Sequence, residues 1–192
     1  MKNKSVFKLT LTAIMIALCY VSFALLKITI PTPLGHTSFH LGNVMCVVAA
    51  LLLGGVTGGI VGAVGMGIGD MLDPVYVMIA PKTIILKMMI GLVVGAVSHK
   101  LFKIKNLEGK KLTKAVIISS ASGMIANMIG EPVFGYFYYK YVLNAQEKAL
   151  HALLGYNLVS TTINATLTVV LATIIYLVIR KRFKNIIKTL DE

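Results

Sequence analysis

The sequence predicts an all-α integral membrane protein, a single bundle of six transmembrane helices with both termini cytoplasmic, and three observations predict it. The 192-residue chain is 57% hydrophobic and only 14% charged, where a soluble domain carries about one-quarter charged residues. Its apolar residues fall in several long runs, and about 20 apolar residues in a helix suffice to cross a hydrocarbon core. Its basic residues flank these runs instead of interrupting them. Lipid cannot hydrogen-bond an open backbone, which restricts spanning structures to helices and closed barrels. The runs do not alternate in the manner of barrel strands, so helices remain.

The whole chain, 1–192, reads as one membrane domain, with apolar segments near 7–28, 42–54, 56–71, 83–102, 113–138 and 152–179. The first follows Lys2, Lys4 and Lys8 and is too long for a signal-peptide core, so it is kept as a helix. The second and third meet at Leu53-Gly54-Gly55-Val56-Thr57-Gly58-Gly59, which reads either as a turn or as the middle of one glycine-rich span. Charge decides between these, because lysine and arginine favour the cytoplasmic side. Of 19 basic residues, 14 fall in three places: Lys2, Lys4 and Lys8; Lys100, Lys103, Lys105, Lys110, Lys111 and Lys114; and Arg180, Lys181, Arg182, Lys184 and Lys188. Placing all three clusters inside requires an even number of crossings between them, so the span splits at Gly54. Ile30–Leu41, Asp70–Pro81 and Tyr139–His151 then lie outside. Gly54/Gly58, Gly55/Gly59, Gly58/Gly62 and Gly65/Gly69 have the spacing that lets helix backbones pack closely in membranes. A formal charge of +12 raises the question of nucleic acid, but the basic clusters have no aromatic interleaving and that partner is excluded.

Polar side chains inside membrane segments are costly, which makes them candidates for function. They gather in the outer half. The first outer loop, Pro31 to Asn43, carries His36, Thr37, Ser38, His40 and Asn43. Asp70, Asp73, Tyr76 and Lys82 follow in the second, with Lys87 in the next helix. Asn127 and Glu131 are four apart and share a helix face, and Pro132 should bend or loosen that helix. Asn157, Thr161, Asn164 and Thr168 draw a polar stripe along the sixth helix. Such a stripe faces protein or a wet cavity and serves either to glue the bundle or to bind a ligand. Glu131 needs a cationic partner, and Lys82 or Lys87 can supply it. The mixture of Asp70, Asp73, Glu131, Lys82, Lys87 and histidines suits a neutral or zwitterionic ligand. His36 and His40 lack a third ligand at metal-site spacing, so no metal is expected. Cys19 and Cys46 read as buried, inert thiols.

In size, helix count and placement of basic loops, the chain resembles the substrate-binding S-components of energy-coupling-factor (ECF) vitamin transporters. Ala13-Ile14-Met15-Ile16-Ala17 matches the alanine-x-x-x-alanine pattern by which that family docks on its coupling subunit. Thr37-Ser38-Phe39-His40-Leu41-Gly42-Asn43, the glycine-rich helix pair and Ala80-Pro81-Lys82-Thr83 look like its small-vitamin branch. The resemblance implies a plasma-membrane protein that captures a vitamin or vitamin precursor at the outer face. It places His36, Thr37, Ser38, His40 and Asn43 in a lid or its hinge, with Asp70, Tyr76, Lys82, Asn127, Glu131, Asn157 and Asn164 lining the pocket. It implies docking through Ala13 and Ala17, and partners comprising a transmembrane coupling subunit and two ATPases. No tryptophan is present to stack on thiamine, so vitamin B6 or a hydroxymethylpyrimidine is the expected ligand.

No cofactor is expected in this chain, since it has no G-x-x-x-x-G-K-[ST] phosphate loop and ATP would be hydrolysed by the partners. The alternatives are a self-sufficient secondary transporter or channel, which would show paired half-helices in two repeats, and a membrane enzyme. Neither G-x-S-x-G nor H-E-x-x-H occurs, and an enzyme is not expected.

Overall fold

The computed structural model describes residues 2–32 and 35–182; Pro33, Leu34, Lys184 and Lys188, which the sequence reading placed in the outer loop and the C-terminal basic cluster, lie outside the described residues. Six α-helices form: α1 (Lys2–Ala24), α2 (Gly42–Leu53), α3 (Gly55–Met71), α4 (Ala80–Gly95), α5 (Gly109–Phe137) and α6 (Glu147–Arg182). Four helical segments, Ser5–Ala24, Val77–Leu101, Gly109–Val142 and Glu147–Arg182, are long and apolar enough to cross a membrane. α2 is not, because 12 residues at 1.5 Å each reach only about 18 Å.

Several boundaries differ from the sequence reading. The first helix stops at Ala24 instead of running to 28, and Ile28–Thr32 (β1) pairs antiparallel with Gly35–Phe39 (β2) in a hairpin. Ile28-Thr29-Ile30 is β-branched throughout, which favours strand over helix, but it continues the apolar run of α1 and so reads as more helix. α4 begins at Ala80, with Pro81 in its first turn where no hydrogen bond is lost. α5 starts at Gly109 and α6 at Glu147, each earlier than the apolar run, because the polar residues ahead of that run are already helical. α5 runs through Pro132 to Phe137, before a π turn at Tyr138–Val142.

The region 42–71 is two helices. Gly54 takes φ +97°, a conformation that side chains resist, and the chain reverses there. Across this hairpin Gly58 lies against Ala50, Gly62 against Cys46 and Gly42 against Met66, the register of an antiparallel pair. α3 and α4 pack closer still. A Cβ on Gly91 would sit 2.0 Å from the Gly59 nitrogen, so the two backbones touch. α1 runs beside α3 in the same direction, Cys19 against Gly65 and Phe23 against Gly69. Cys19 and Cys46 are both buried and free.

Members of the three basic clusters, Lys8, Lys103, Lys105 and Arg180, meet at one end of the bundle. Lys8 shares a cavity wall with Lys103 and Lys105, and Arg180 of α6 donates to the carbonyls of Ile104, Lys105 and Leu107 at 2.8–3.0 Å. The β-hairpin covers the opposite end.

Candidate functional site

Beneath the hairpin lies a cavity of about 70 Å³, walled by α2 to α6 and roofed by β2. All twelve residues singled out in the sequence line it: His36, Thr37, Ser38, His40, Asn43, Asp70, Tyr76, Lys82, Asn127, Glu131, Asn157 and Asn164. Lys87 and Thr161, noted in the sequence as neighbours of these residues, line it as well. Phe23, Ile79, Thr83, Leu86, Tyr139 and Ser160 complete the wall and were missed. Ser160 had a signal, standing three residues after Asn157 on the same helix face. The apolar and aromatic members look in sequence like any core residue.

The roof is latched to α6. Thr37 Oγ1 and Ser160 Oγ are 2.7 Å apart. Asn164 uses both ends of its amide: Nδ2 donates to the Ser38 carbonyl at 3.0 Å, and Oδ1 accepts the His40 N–H at 3.1 Å. Asn164 of the polar stripe on α6, with Ser160 beside it, therefore holds the hairpin shut. On the other side the Tyr76 hydroxyl donates to the Thr37 carbonyl at 3.3 Å. Lys27, beneath the hairpin, pairs with Asp73 at 2.5 Å and lies 4.4 Å from the Tyr76 ring centre. Partial burial pushes the Asp73 carboxyl up, but the Lys27 hydrogen bond and charge outweigh it and hold it below its usual range. Burial also raises the Tyr76 hydroxyl and, with help from the charges of Lys87 and Lys27, lowers the His40 imidazole well below its ordinary 6.5. The neutral His40 ring packs edge-on to Phe23, 4.8 Å between centroids.

Two lysines and two carboxylates line the interior. Lys82 forms an ion pair with Glu131 and sits 5.1 Å from the Tyr139 ring centre. The carboxylate's partner is thus Lys82, the first of the two candidates. Lys87, also buried, has no ion-pair partner among the described residues. Asp70 is buried with Thr83 as its hydroxyl neighbour. Two carboxylates and two ammonium groups leave the cavity with little net charge. Buried polar atoms are normally paired, yet Asn43 Oδ1, Asn127 Oδ1 and His40 Nδ1 have no hydrogen-bond partner among the described residues. Each belongs to a cavity-lining residue. Among the described residues no three His, Cys, Asp or Glu side chains come together as a metal would require.

Residues 3–181 match the family model described as ECF-type riboflavin transporter, S component. The chain belongs to this family. It is accordingly the integral membrane, substrate-binding subunit of an ECF transporter of the plasma membrane, works with the partners of an ECF module on a vitamin-like ligand, and is not an enzyme. A solved structure described under "Structure and mechanism of the S component of a bacterial ECF transporter" matches with a TM-score of 0.56 and 18% identity, covering 98% of this chain and 99% of that one. At that identity the likeness speaks for the fold of this S component. No curated protein matches the chain.

Proposed function

We propose that this S component captures riboflavin in the cavity beneath the β-hairpin, at the outer face, and passes it inward when partner subunits hydrolyse ATP. The observation that carries the reading is the set of unpartnered amide oxygens, Asn43 Oδ1 and Asn127 Oδ1, in a cavity whose carboxylates and ammonium groups balance. A flavin is uncharged and carries an imide edge. Its N–H suits a buried amide acceptor, and its carbonyls suit Lys87. The hydroxyls of Ser160 and Thr161 suit a polyol chain, and Phe23, Tyr76 and Tyr139 suit a flat ring. The family description supports riboflavin over vitamin B6 or a hydroxymethylpyrimidine. The balanced charge supports riboflavin over its phosphorylated forms.

Small-molecule pockets start near ~300 Å³, and the cavity holds about 70 Å³, so a flavin requires the hairpin to lift. A second hollow of about 420 Å³ on the outer side shares His36, Tyr76, Ile79 and Tyr139 with the cavity. Those four side chains form the partition that moves. The basic end of the bundle is cytoplasmic in this reading, which puts hairpin and hollow outside. Ala13 and Ala17, both exposed on α1, offer a flat face for a transmembrane coupling subunit, itself carried by two ATPases.

Mass spectrometry of small molecules released from gently purified protein tests the ligand directly, followed by titration of riboflavin fluorescence. Quenching at one riboflavin per chain, undisturbed by excess pyridoxine or flavin mononucleotide, is expected. Release of a different compound, or displacement by pyridoxine, would replace riboflavin with the smaller ligands. Ala13→Trp with Ala17→Trp should abolish uptake in cells while leaving that titration unchanged.

A further inference from the structure

At the opposite end of the bundle from the hairpin lies a separate cavity of about 410 Å³ whose walls carry Lys8, His99, Lys103 and Lys105 and, among the described residues, no carboxylate. Four chain segments build it. Lys8 comes from the second turn of α1, and Leu52, Leu53 and Gly54 come from the tight turn between α2 and α3. His99 stands in the π turn that ends α4, and Lys103 and Lys105 stand in the link to α5. Nothing in the capture site explains this convergence, because the two cavities share no residue.

The basic cavity is held in shape. Arg180 reaches across from α6 and donates to three carbonyls of the link, those of Ile104, Lys105 and Leu107, at 2.8–3.0 Å. Tyr176 steadies the same guanidinium at 2.9 Å. Lys103 adopts the left-handed conformation, φ 49°, which a non-glycine residue resists. His99 is fixed to the α2 end by a 3.0 Å contact from Nε2 to the Ala50 carbonyl. A link tied down at this many points keeps its lysines around one space. Merely solvated lysines need no such framework.

We infer that this cavity binds the phosphate group of an anionic phospholipid headgroup. Basic pockets between transmembrane helices on the cytoplasmic side suit such headgroups, and each lysine near an anionic bilayer surface is worth about fivefold in binding. The position at the basic end of the helices brings the cavity level with the headgroup layer. The volume accommodates a glycerophosphate unit, and the neighbouring Leu52 and Leu53 offer apolar surface beside it. A soluble phosphate ester carries the same chemistry and would bind the same lysines.

The test uses the full chain, purified and placed in nanodiscs of phosphatidylcholine alone or of phosphatidylcholine with phosphatidylglycerol, with thermal unfolding and native mass spectrometry as readouts. Phosphatidylglycerol should raise the unfolding temperature and remain bound through the spectrometer. Lys8→Gln with Lys103→Gln should reduce that binding about twenty-five-fold, from the fivefold per lysine above. Lys110→Gln with Lys114→Gln, the same charge change outside the cavity, should reduce it little. A separate arm adds glycerol phosphate to the protein in phosphatidylcholine. Stabilisation there, lost in the Lys8/Lys103 variant, supports the phosphate site with a soluble source; its absence beside a phosphatidylglycerol effect supports the lipid. Equal loss from the two double variants would overturn the proposal in favour of diffuse surface charge. No effect of either phosphate source would overturn it too, and a defect of the Lys8/Lys103 variant confined to assembly with the coupling subunit would then indicate an acidic protein partner.

Discussion

Replacing Glu131 by glutamine removes the charge opposite Lys82 without changing shape, and the structure sets the size of the effect. The Lys82 and Glu131 side chains are 4% and 13% exposed, so water cannot take over the role of the lost carboxylate. Breaking a buried ion pair from one side costs about 3–5 kcal/mol. The glutamine oxygen can still accept a hydrogen bond from Nζ, which places the expectation near the lower end, about 3 kcal/mol. For a chain of this size about 2–4 °C accompanies each kcal/mol, giving a fall of roughly 6–12 °C in unfolding temperature. Replacing both partners, Lys82→Met with Glu131→Leu, removes both charges together and should return the temperature close to that of the wild type, since paired removal is often neutral. Riboflavin affinity supplies the second readout. Because both side chains line the cavity, the stable double variant should bind at least tenfold more weakly. An unchanged unfolding temperature in Glu131→Gln, or a double variant as unstable as the two single ones summed, would refute the electrostatic argument. Full affinity in the double variant would make the pair purely structural.

Three further expectations follow from the packing and the latch. Gly91→Ala puts a methyl 2.0 Å from the Gly59 nitrogen, against about 3.4 Å for ordinary contact; α3 and α4 must separate, with ~1–3 kcal/mol lost, whereas Gly155→Ala, with nothing within 4 Å, should leave thermal unfolding unchanged or improved. Asn164→Ala deletes two of the three hydrogen bonds described between α6 and the roof and leaves the Thr37–Ser160 contact, a loss of about 2 kcal/mol at ~1 kcal/mol each, so ligand should leave roughly thirtyfold faster in stopped-flow fluorescence; an unaltered rate would show that the roof is held elsewhere. The lowered imidazole of His40 means that the folded, closed form binds fewer protons than the open one. Its contribution is therefore complete above about pH 6.5 and declines at up to ~1.4 kcal/mol per pH unit below, so binding should weaken from pH 7 to 5 and His40→Phe should flatten that profile.

Much of the site was legible because membranes penalise polar groups. In a soluble protein Asn127, Asn157 and Asn164 would be unremarkable, but in an apolar helix each asks for an explanation, and the structure brings all three to one cavity. The same rule could not reveal Phe23, Leu86 or Tyr139, whose burial needs no special reason in a hydrophobic chain. The hairpin was hidden for a related cause: Ile28-Thr29-Ile30 continues the apolar run of the helix before it, and periodicity cannot separate a short apolar strand from a helix end.

By itself the sequence determined the helical membrane character, the six helices, the gathering of basic residues and the identity of the polar residues around the cavity beneath the hairpin. These are properties of composition and spacing, set by the cost of placing charge and open backbone in hydrocarbon. Tertiary structure alone decided which lysine meets Glu131, that Asn164 holds the roof with both ends of its amide, and that Arg180 ties the link into a second, basic cavity. Each of those depends on the distance between side chains far apart in the chain, and no local pattern encodes that distance.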